Sequence, residues 1–246
     1  MGGMVRAAAL VRPTGAAVLV ASPVVAPLLL AVDFDGTITL RDTLRVIVDA
    51  HGHPGAWDDL EPQLRSGHIT VEQAMERQFS TMTASHDEVA ACVRSGAGVR
   101  EGFTDLVAYA TDNGHRLVVM SAGFRSVIDL VLGDLGLSHL EVVANDAVFS
   151  DDGCRLVWGA DRGEVCPLCD RRCKRHAIRA RHQGETIVYV GDGISDRCVS
   201  QMADVVFARV DLAEHLAGRG VAFTPYDDFH DVITGLRLVG THAGVA

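Results

Sequence analysis

The stretch "LLLAVDFDGTIT", residues 28–39, runs from five apolar residues into two carboxylates, Asp33 and Asp35, a glycine and two threonines. A short apolar run of this kind reads as a strand buried on both faces. An ionised carboxylate at the end of such a strand costs several kcal/mol unless something partners it. Strand periodicity sets Asp33 and Asp35 on one side if the strand continues, and Gly36 permits a sharp turn immediately after. Two carboxylates beside a turn suit Mg²⁺ binding, or a division of labour between nucleophile and general acid/base. The plainer alternative makes Asp35-Gly36 a surface turn and Asp33 an incidental strand end.

Similar strand-like runs recur at "HRLVVMS" (115–121), "LEVVAND" (140–146), "TIVYVGD" (186–192) and "DVVFARV" (204–210). Helical patterns lie between them, as in "GFRSVIDLVLGDLGL" (123–137), where Val127, Leu130, Val131 and Leu135 mark one apolar face. Strands alternating with helices predict an α/β fold built on a doubly wound parallel sheet. Three of the strands end on Asp33, Ser121 and Asp192, at the sheet edge where open α/β folds bind ligands. Residues 41–100 contain no convincing strand. There "TLRVIVDAHG", "TVEQAMERQFSTM" and "SHDEVAACVRSG" predict three or more short helices, with Thr70 and Ser85 as N-caps. The expected organisation is therefore an irregular N-terminal extension (1–26), an α/β core (27–40 and 101–246) and a helical insertion (41–100).

The 246 residues are 48% hydrophobic and carry a formal charge of −10 without a Lys/Arg-rich block. That balance argues against nucleic acid or an anionic membrane as the main partner, but not against a small anionic substrate. No stretch is long and apolar enough to span a bilayer. The N-terminal "MVRAAALVRPTGAAVLVASPVVAP" loosely imitates a signal peptide, although Pro23 and Pro27 break its apolar run. Three of the six cysteines crowd into residues 166–173, which does not resemble a secreted disulfide framework, so a reducing cytoplasm is expected.

Chemistry gathers in three further segments. "YVGDGISD" places Asp192 and Asp196 after a second apolar strand, and oxygen ligands from two strand tips suit Mg²⁺. "VVMSAGF" ends a strand on Ser121, followed by Ala122 and Gly123, read as opening a helix whose hydroxyl and free N–H groups hold a phosphate. Lys174, heading "KRHAIRARH", supplies a cation for a transferring phosphoryl group, or is simply a solvated helix lysine. "CPLCDRRCKRH" brings Cys166, Cys169, Cys173 and His176 within eleven residues: either the start of a zinc site or a set of reduced thiols. Cys92 and Cys198 read as small core residues.

In this order the four acidic, hydroxyl and lysine segments resemble the haloacid-dehalogenase-like phosphatase superfamily, from about residue 27 onward. The resemblance implies a Rossmann-like core with a helical cap after the first strand. It makes Asp33 the nucleophile of an aspartyl-phosphate and Asp35 the general acid/base. Thr37 and Ser121 would bind phosphate oxygens, and Lys174 would steady the nucleophile and the phosphoryl charge. Mg²⁺ would be held by Asp33, Asp192 and the Asp35 carbonyl, with Asp196 orienting Lys174 or a metal-bound water. The insertion, "SAGF" and "VVANDAVFSDDG" are similar to the phosphoserine-phosphatase-like branch. "CKRHAI", "GDGISDRCVSQMADVVFAR" and "VAFTPYDDFHDV" resemble its methionine-salvage members, which act on a hydroxy-keto-methylthio-pentenyl phosphate. In the branch's phosphoserine phosphatases an arginine grips the substrate carboxylate. Gln78, beside Arg77, falls at that place here, and Asp42 falls where an acid would meet the amino group. Arg41, Arg45, Arg65 and Arg77 otherwise read as solvated cap charges. The expected function is a Mg²⁺-dependent phosphatase acting on a small phosphorylated metabolite. Alternatives are a phosphotransferase, a phosphoserine phosphatase, a catalytically silent module and a zinc-dependent interaction protein. An apolar cap face could pair two subunits into a homodimer.

Overall fold

Strand β1 (Leu28–Asp33) is buried at every residue, as its unbroken apolar run requires. It is flanked on both sides by parallel strands, β2 (Arg116–Phe124) and β5 (Thr186–Gly191). In this computed structural model, which describes residues 27–53, 55–79, 82–159, 163 and 165–242, seven strands form one sheet in the order β4-β3-β2-β1-β5-β6-β7. β3 (Glu141–Ser150), β6 (Val205–Ala208) and β7 (Thr224–Pro225) continue the parallel pairing, and β4 (Gly153–Val157) closes one edge as an antiparallel hairpin with β3. β4 and β7 are additions to the five strands read from the sequence. The expectation for residues 1–26 lies outside the described residues.

Period-two alternation along β1 feeds two cores. Leu28, Leu30 and Val32 join the larger one with Phe103, Val127 and Phe229, whereas Leu29 and Ala31 face Ala177, Ile178 and Tyr189 on the other side. Phe103 and Phe229 belong to α5 (Phe103–Asp112) and α9 (Phe229–His242), Val127 to α6 (Arg125–Asp134), and Ala177 and Ile178 to α7 (Arg175–Arg181). Helices thus cover both faces, as a mostly parallel sheet demands. The chain adds β2, β3 and β4 to one side of β1 and only then crosses to β5, so the sheet's switch point lies between β1 and β5.

Among the described residues four helices separate β1 from α5: α1 (Thr43–His51), α2 (Ala56–Arg65), α3 (Val71–Phe79) and α4 (His86–Gly96). Ser85 caps α4 through a complete capping box with Glu88, and Thr70 and Gln73 exchange the corresponding bonds at the start of α3. The insertion leaves and rejoins the core through a paired neck. Arg100 N–H donates to the Ile38 carbonyl at 2.8 Å, Leu40 to Gly98 at 3.2 Å and Arg41 to Ala97 at 3.1 Å. No helix among the described residues is long and apolar enough to cross a membrane.

One aromatic cluster fastens the insertion to the sheet. Phe79 of α3 is fully buried, with its ring 4.9 Å from Phe124 and 6.4 Å from Phe149, both edge-on. Phe79→Ala should cost about 3–5 kcal/mol, the range for deleting a buried phenyl ring. A urea midpoint shift at unchanged slope measures it, and a loss below about 1 kcal/mol would mean that the ring carries little of the attachment.

Candidate active site

The site is assembled where β1 and β5 end. β1 stops at Asp33, and residues Phe34–Ile38 form a tight turn, closed by Thr39 N–H donating to the Phe34 carbonyl at 3.0 Å. The strand does not continue to Asp35, so strand alternation is not what places that residue. The turn does so, through Gly36 at φ 77°, a conformation that favours glycine. A Cβ on Gly36 would also collide with the Asp192 carboxylate, so the turn can lie against the β5 tip only without a side chain.

Lys174, immediately before α7, joins the two strand tips. Its buried ammonium donates to Asp33, to Asp196 at 2.7 Å and to the Tyr189 hydroxyl at 3.2 Å. Burial works against its charge, but the Asp196 and Asp33 carboxylates outweigh burial and hold the Lys174 pKa above its ordinary value. Asp196 is fully buried in a one-turn 3₁₀ helix (Ile194–Asp196). Besides Lys174 it accepts from Tyr189 at 2.6 Å, from Ser195 at 3.2 Å, and from the Asp192 and Gly193 amides at 3.1 Å each. Burial would raise its pKa, yet the Lys174 charge and these hydrogen bonds hold it below the ordinary value.

Asp35 occupies a different environment. Its carboxylate accepts from the Thr43 amide at 2.8 Å, the Thr43 hydroxyl, and the Ser121 hydroxyl at 3.0 Å. Burial dominates and raises its pKa despite these bonds. Ser121 in turn accepts from the Gly123 amide at 2.8 Å. Ala122 and Gly123 do not open a helix: they lie in the last, irregularly paired residues of β2, and α6 begins only at Arg125. Gly123 lets the strand approach the acid, since a Cβ there would sit 2.8 Å from Asp35 Oδ2.

Carboxylate oxygens of Asp33, Asp192 and Asp196 lie within 4.8 Å of one another, and the Asp35 carboxylate is not one of this group. Burial, the Asp196 charge and the Asp192 charge push Asp33 well up, while burial and Asp196 raise Asp192 to about 7. The hydroxyl of Thr37, expected to bind phosphate, is fully buried and donates instead to Asp192 at 3.1 Å. Asp42 caps α1 by accepting from the Arg45 amide at 2.9 Å, and burial with the Asp35 charge lifts its pKa to about 7. Gln78 is 2% exposed, and neither atom of its amide has a hydrogen-bond partner among the described residues.

Three residues of this layer escaped sequence reasoning. Tyr189 hides inside an apolar strand pattern. Arg100 donates to the Thr37 and Gly36 carbonyls, each at 2.8 Å, and so clamps the turn after β1. Tyr226 lies 3.5 Å behind Thr37. A cavity of about 470 Å³ opens between the insertion and the sheet edge. Ser121 and Lys174 line it on one side, and Val71, Met75, Trp158 and Leu168 supply apolar wall. His176 does not join the cysteines near its mouth. Cys198, expected in the core, stands with Cys166, Cys169 and Cys173 instead, while Cys92 does pack against the core.

An acid-bearing β1 tip at the switch point, a lysine bridging it to β5 and a helical insertion after β1 together define a class of hydrolase. Residues 30–201 match the haloacid dehalogenase-like hydrolase family, and the chain belongs to it. It is 29% identical to a 2-hydroxy-3-keto-5-methylthiopentenyl-1-phosphate phosphatase of Brevibacillus brevis over 86% of this chain and 96% of that one. It is 30% identical to the protein of the same name from Geobacillus thermodenitrificans, over 85% and 96%. Among solved structures it is similar in fold to a phospho-aspartyl intermediate analogue of phosphoserine phosphatase, with TM-score 0.65, 19% identity, and coverage of 85% of this chain and 98% of that one.

Lys174→Met should leave Asp33 and Asp196 buried without their cation and cost about 3–5 kcal/mol at pH 8. With the cation gone, the Asp196 pKa rises from its lowered value to above that of an unfolded aspartate, and the Asp33 pKa, already raised by burial and its neighbouring acids, rises further. The folded variant then binds more protons than its unfolded chain, so its stability rises as pH falls. Urea denaturation of both proteins at pH 8 and pH 5 should show the deficit shrinking at pH 5, and a pH-independent deficit would overturn this account.

Proposed function

We propose that this hydrolase is a Mg²⁺-dependent phosphomonoesterase, acting on a small phosphorylated metabolite through an aspartyl-phosphate. The observation that carries the reading is the separation of two acids two residues apart. Asp33 is aimed by an ammonium whose charge favours its ionised form against burial and two neighbouring acids, whereas Asp35 sits among hydroxyl and amide donors with a raised pKa that lets it carry a proton. In this mechanism an Asp33 oxygen attacks phosphorus while Asp35 gives its proton to the departing alcohol oxygen. Asp35 then takes a proton from water, whose oxygen attacks the same phosphorus and frees the Asp33 carboxylate and inorganic phosphate. Lys174 offsets charge on the phosphoryl group, and Asp196 acts through Lys174 as a positioning residue. Ser121 and the amides of Ala122 and Gly123 are the contacts assigned to phosphate oxygens, with the Gly123 amide giving up its bond to Ser121 to make one.

The donor set fits Mg²⁺: hard carboxylate oxygens from two strand tips, with the Asp33 and Asp192 pKa values raised by burial and by the negative charge around them. Asp33 and Asp192 would hold the ion, with the Asp35 carbonyl as a further oxygen donor. The ion would supply positive charge against the phosphoryl oxygens. For substrate, the apolar wall of Val71, Met75, Trp158 and Leu168 suits a phosphate ester with an apolar tail, such as the methylthiopentenyl phosphate named for the curated relatives. Asp42 and the unpartnered amide of Gln78 are assigned to the polar part of that substrate.

Asp33→Asn should lower turnover of an aryl phosphate on the order of 10⁴-fold or more, the scale of losing a covalent nucleophile. Survival of that activity would reject the mechanism. Measured against a panel containing phosphoserine and the methylthiopentenyl phosphate, the wild type should favour the latter in kcat/KM, and the reverse order would reject the substrate assignment.

Metal binding carries its own pH signature. In the metal-free protein Asp192 keeps its proton up to about pH 7, whereas an unfolded aspartate releases it near 4. This group therefore lowers stability as pH rises through that window. Because Mg²⁺ requires the ionised carboxylate, the Tm increase it produces should be larger at pH 8 than at pH 5.5 and should vanish in Asp192→Asn. Equal increases at both pH values, or an undiminished one in the variant, would remove Asp192 from the metal site.

A further inference from the structure

Cys166, Cys169 and Cys173 belong to the loop leading into α7, and Cys198 follows the 3₁₀ turn after β5. Their four sulfurs nevertheless converge, with all the Sγ atoms within 4.8 Å of one another and those of Cys166 and Cys198 3.8 Å apart. A zinc ion bound at about 2.3 Å by four thiolates sets them about 3.8 Å from each other along every tetrahedral edge. The sulfurs are therefore already close to the spacing of one metal ion, and all four are free thiols.

The backbone is shaped for the same ligand. Cys166 N–H donates to the Arg171 carbonyl at 2.9 Å and Asp170 N–H to the Cys166 carbonyl at 2.8 Å, which folds the Cys-Pro-Leu-Cys segment into a tight knuckle. Asp170, directly after Cys169, takes φ 52°, in the left-handed region that aspartate tolerates better than most residues. The turn directs the Leu168 and Cys169 amides at the Cys166 sulfur, and the Arg175 amide at that of Cys173. N–H groups aimed at sulfur are the outer-shell support that a metal-bound thiolate uses. Cations flank the cluster as well. Arg175 donates to the Cys198 carbonyl at 3.2 Å, and Arg175 and Arg197 each bury an Nε without a hydrogen-bond partner among the described residues. Two positive charges there would offset the net −2 of a zinc tetrathiolate.

We propose that Cys166, Cys169, Cys173 and Cys198 bind one Zn²⁺ in a closed structural site. Four soft ligands at tetrahedral spacing select zinc over the hard cation of the acidic site and leave no open coordination position for chemistry. The space enclosed by sulfurs this close holds a single ion and not a cluster with its own sulfides. The ion takes no part in the reaction. It pins the α7 loop to the segment after β5, one residue from Lys174 and two residues from Asp196.

The test is metal analysis of the full-length protein purified without added metal, by atomic emission, together with Co²⁺ substitution. The expected result is one zinc per chain, and a cobalt form showing sulfur-to-metal charge transfer and tetrahedral d–d bands. Cys198→Ser and Cys169→Ser should lose the metal, whereas His176→Ala should keep it. Wild-type protein without zinc that gives no tetrathiolate cobalt spectrum would overturn the proposal, as would stoichiometric iron or a Cys166–Cys198 disulfide found by mass spectrometry. Because the cobalt spectrum is read on the wild type, the test stands even if the serine variants fail to fold.

Discussion

The Lys174 ammonium sits between Asp33 and Asp196, in a largely buried layer, and the architecture of the sheet edge follows from that arrangement. Two anions taken out of water need a cation held at both, and each partner comes from a different segment: the tip of β1, the start of α7 and the turn after β5. Only the order in which the chain crosses from β4 back to β5 brings those segments side by side. Tyr189 shows how closely the core is subordinated to the site. Its ring packs with Leu29 and Ala31, while its hydroxyl, at the boundary of that core, bonds both Lys174 and Asp196.

The same constraint separates Asp33 from Asp35. Had β1 continued, both carboxylates would share one environment, and with like charges side by side one would simply hold the other's proton. The turn at Gly36 prevents this by giving Asp33 to the lysine and Asp35 to Thr43 and Ser121. Arg100 holds the turn from behind through two backbone carbonyls, so a residue at the exit of the insertion keeps the acid at its entrance in place. Thr37 belongs to this scaffold: its hydroxyl orients Asp192 from a position that solvent does not reach.

What was legible in the sequence follows a physical line. The apolar runs of β1, β2, β3, β5 and β6 stood out because parallel strands are buried on both faces, and their acidic tips stood out by contrast with them. β7 has only two residues and no periodicity to read. β4 depends on a hairpin partner more than on its own pattern. Ala122 and Gly123 looked like a helix start because small residues beside a serine suit a phosphate loop, but pairing with β3 carries the strand on to Phe124. Tyr189 and Arg100 escaped because their roles rest on contacts made across 7 to 64 residues of chain with no local signature. Cys198 was misread for a related reason. A short apolar pattern cannot distinguish a core thiol from one turned toward three others, and only the approach of the α7 loop to the β5 tip decides between them.

The insertion itself divides along the same lines. Its first helix begins at Thr43, whose amide and hydroxyl hold Asp35, and its last helix returns through the neck to Arg100, which holds the turn. α1 is therefore bonded directly to Asp35, and the neck after α4 to the turn that carries it. α2 and α3 supply Leu64, Val71 and Met75 to the wall of the cavity that Ser121 and Lys174 also line. Sequence change in that half alters the room beside Ser121 and Lys174, whereas Asp33, Asp35 and Lys174 stand on the β1 tip, the turn after it and the start of α7. The helices that shape the cavity are therefore not the ones bonded to Asp35.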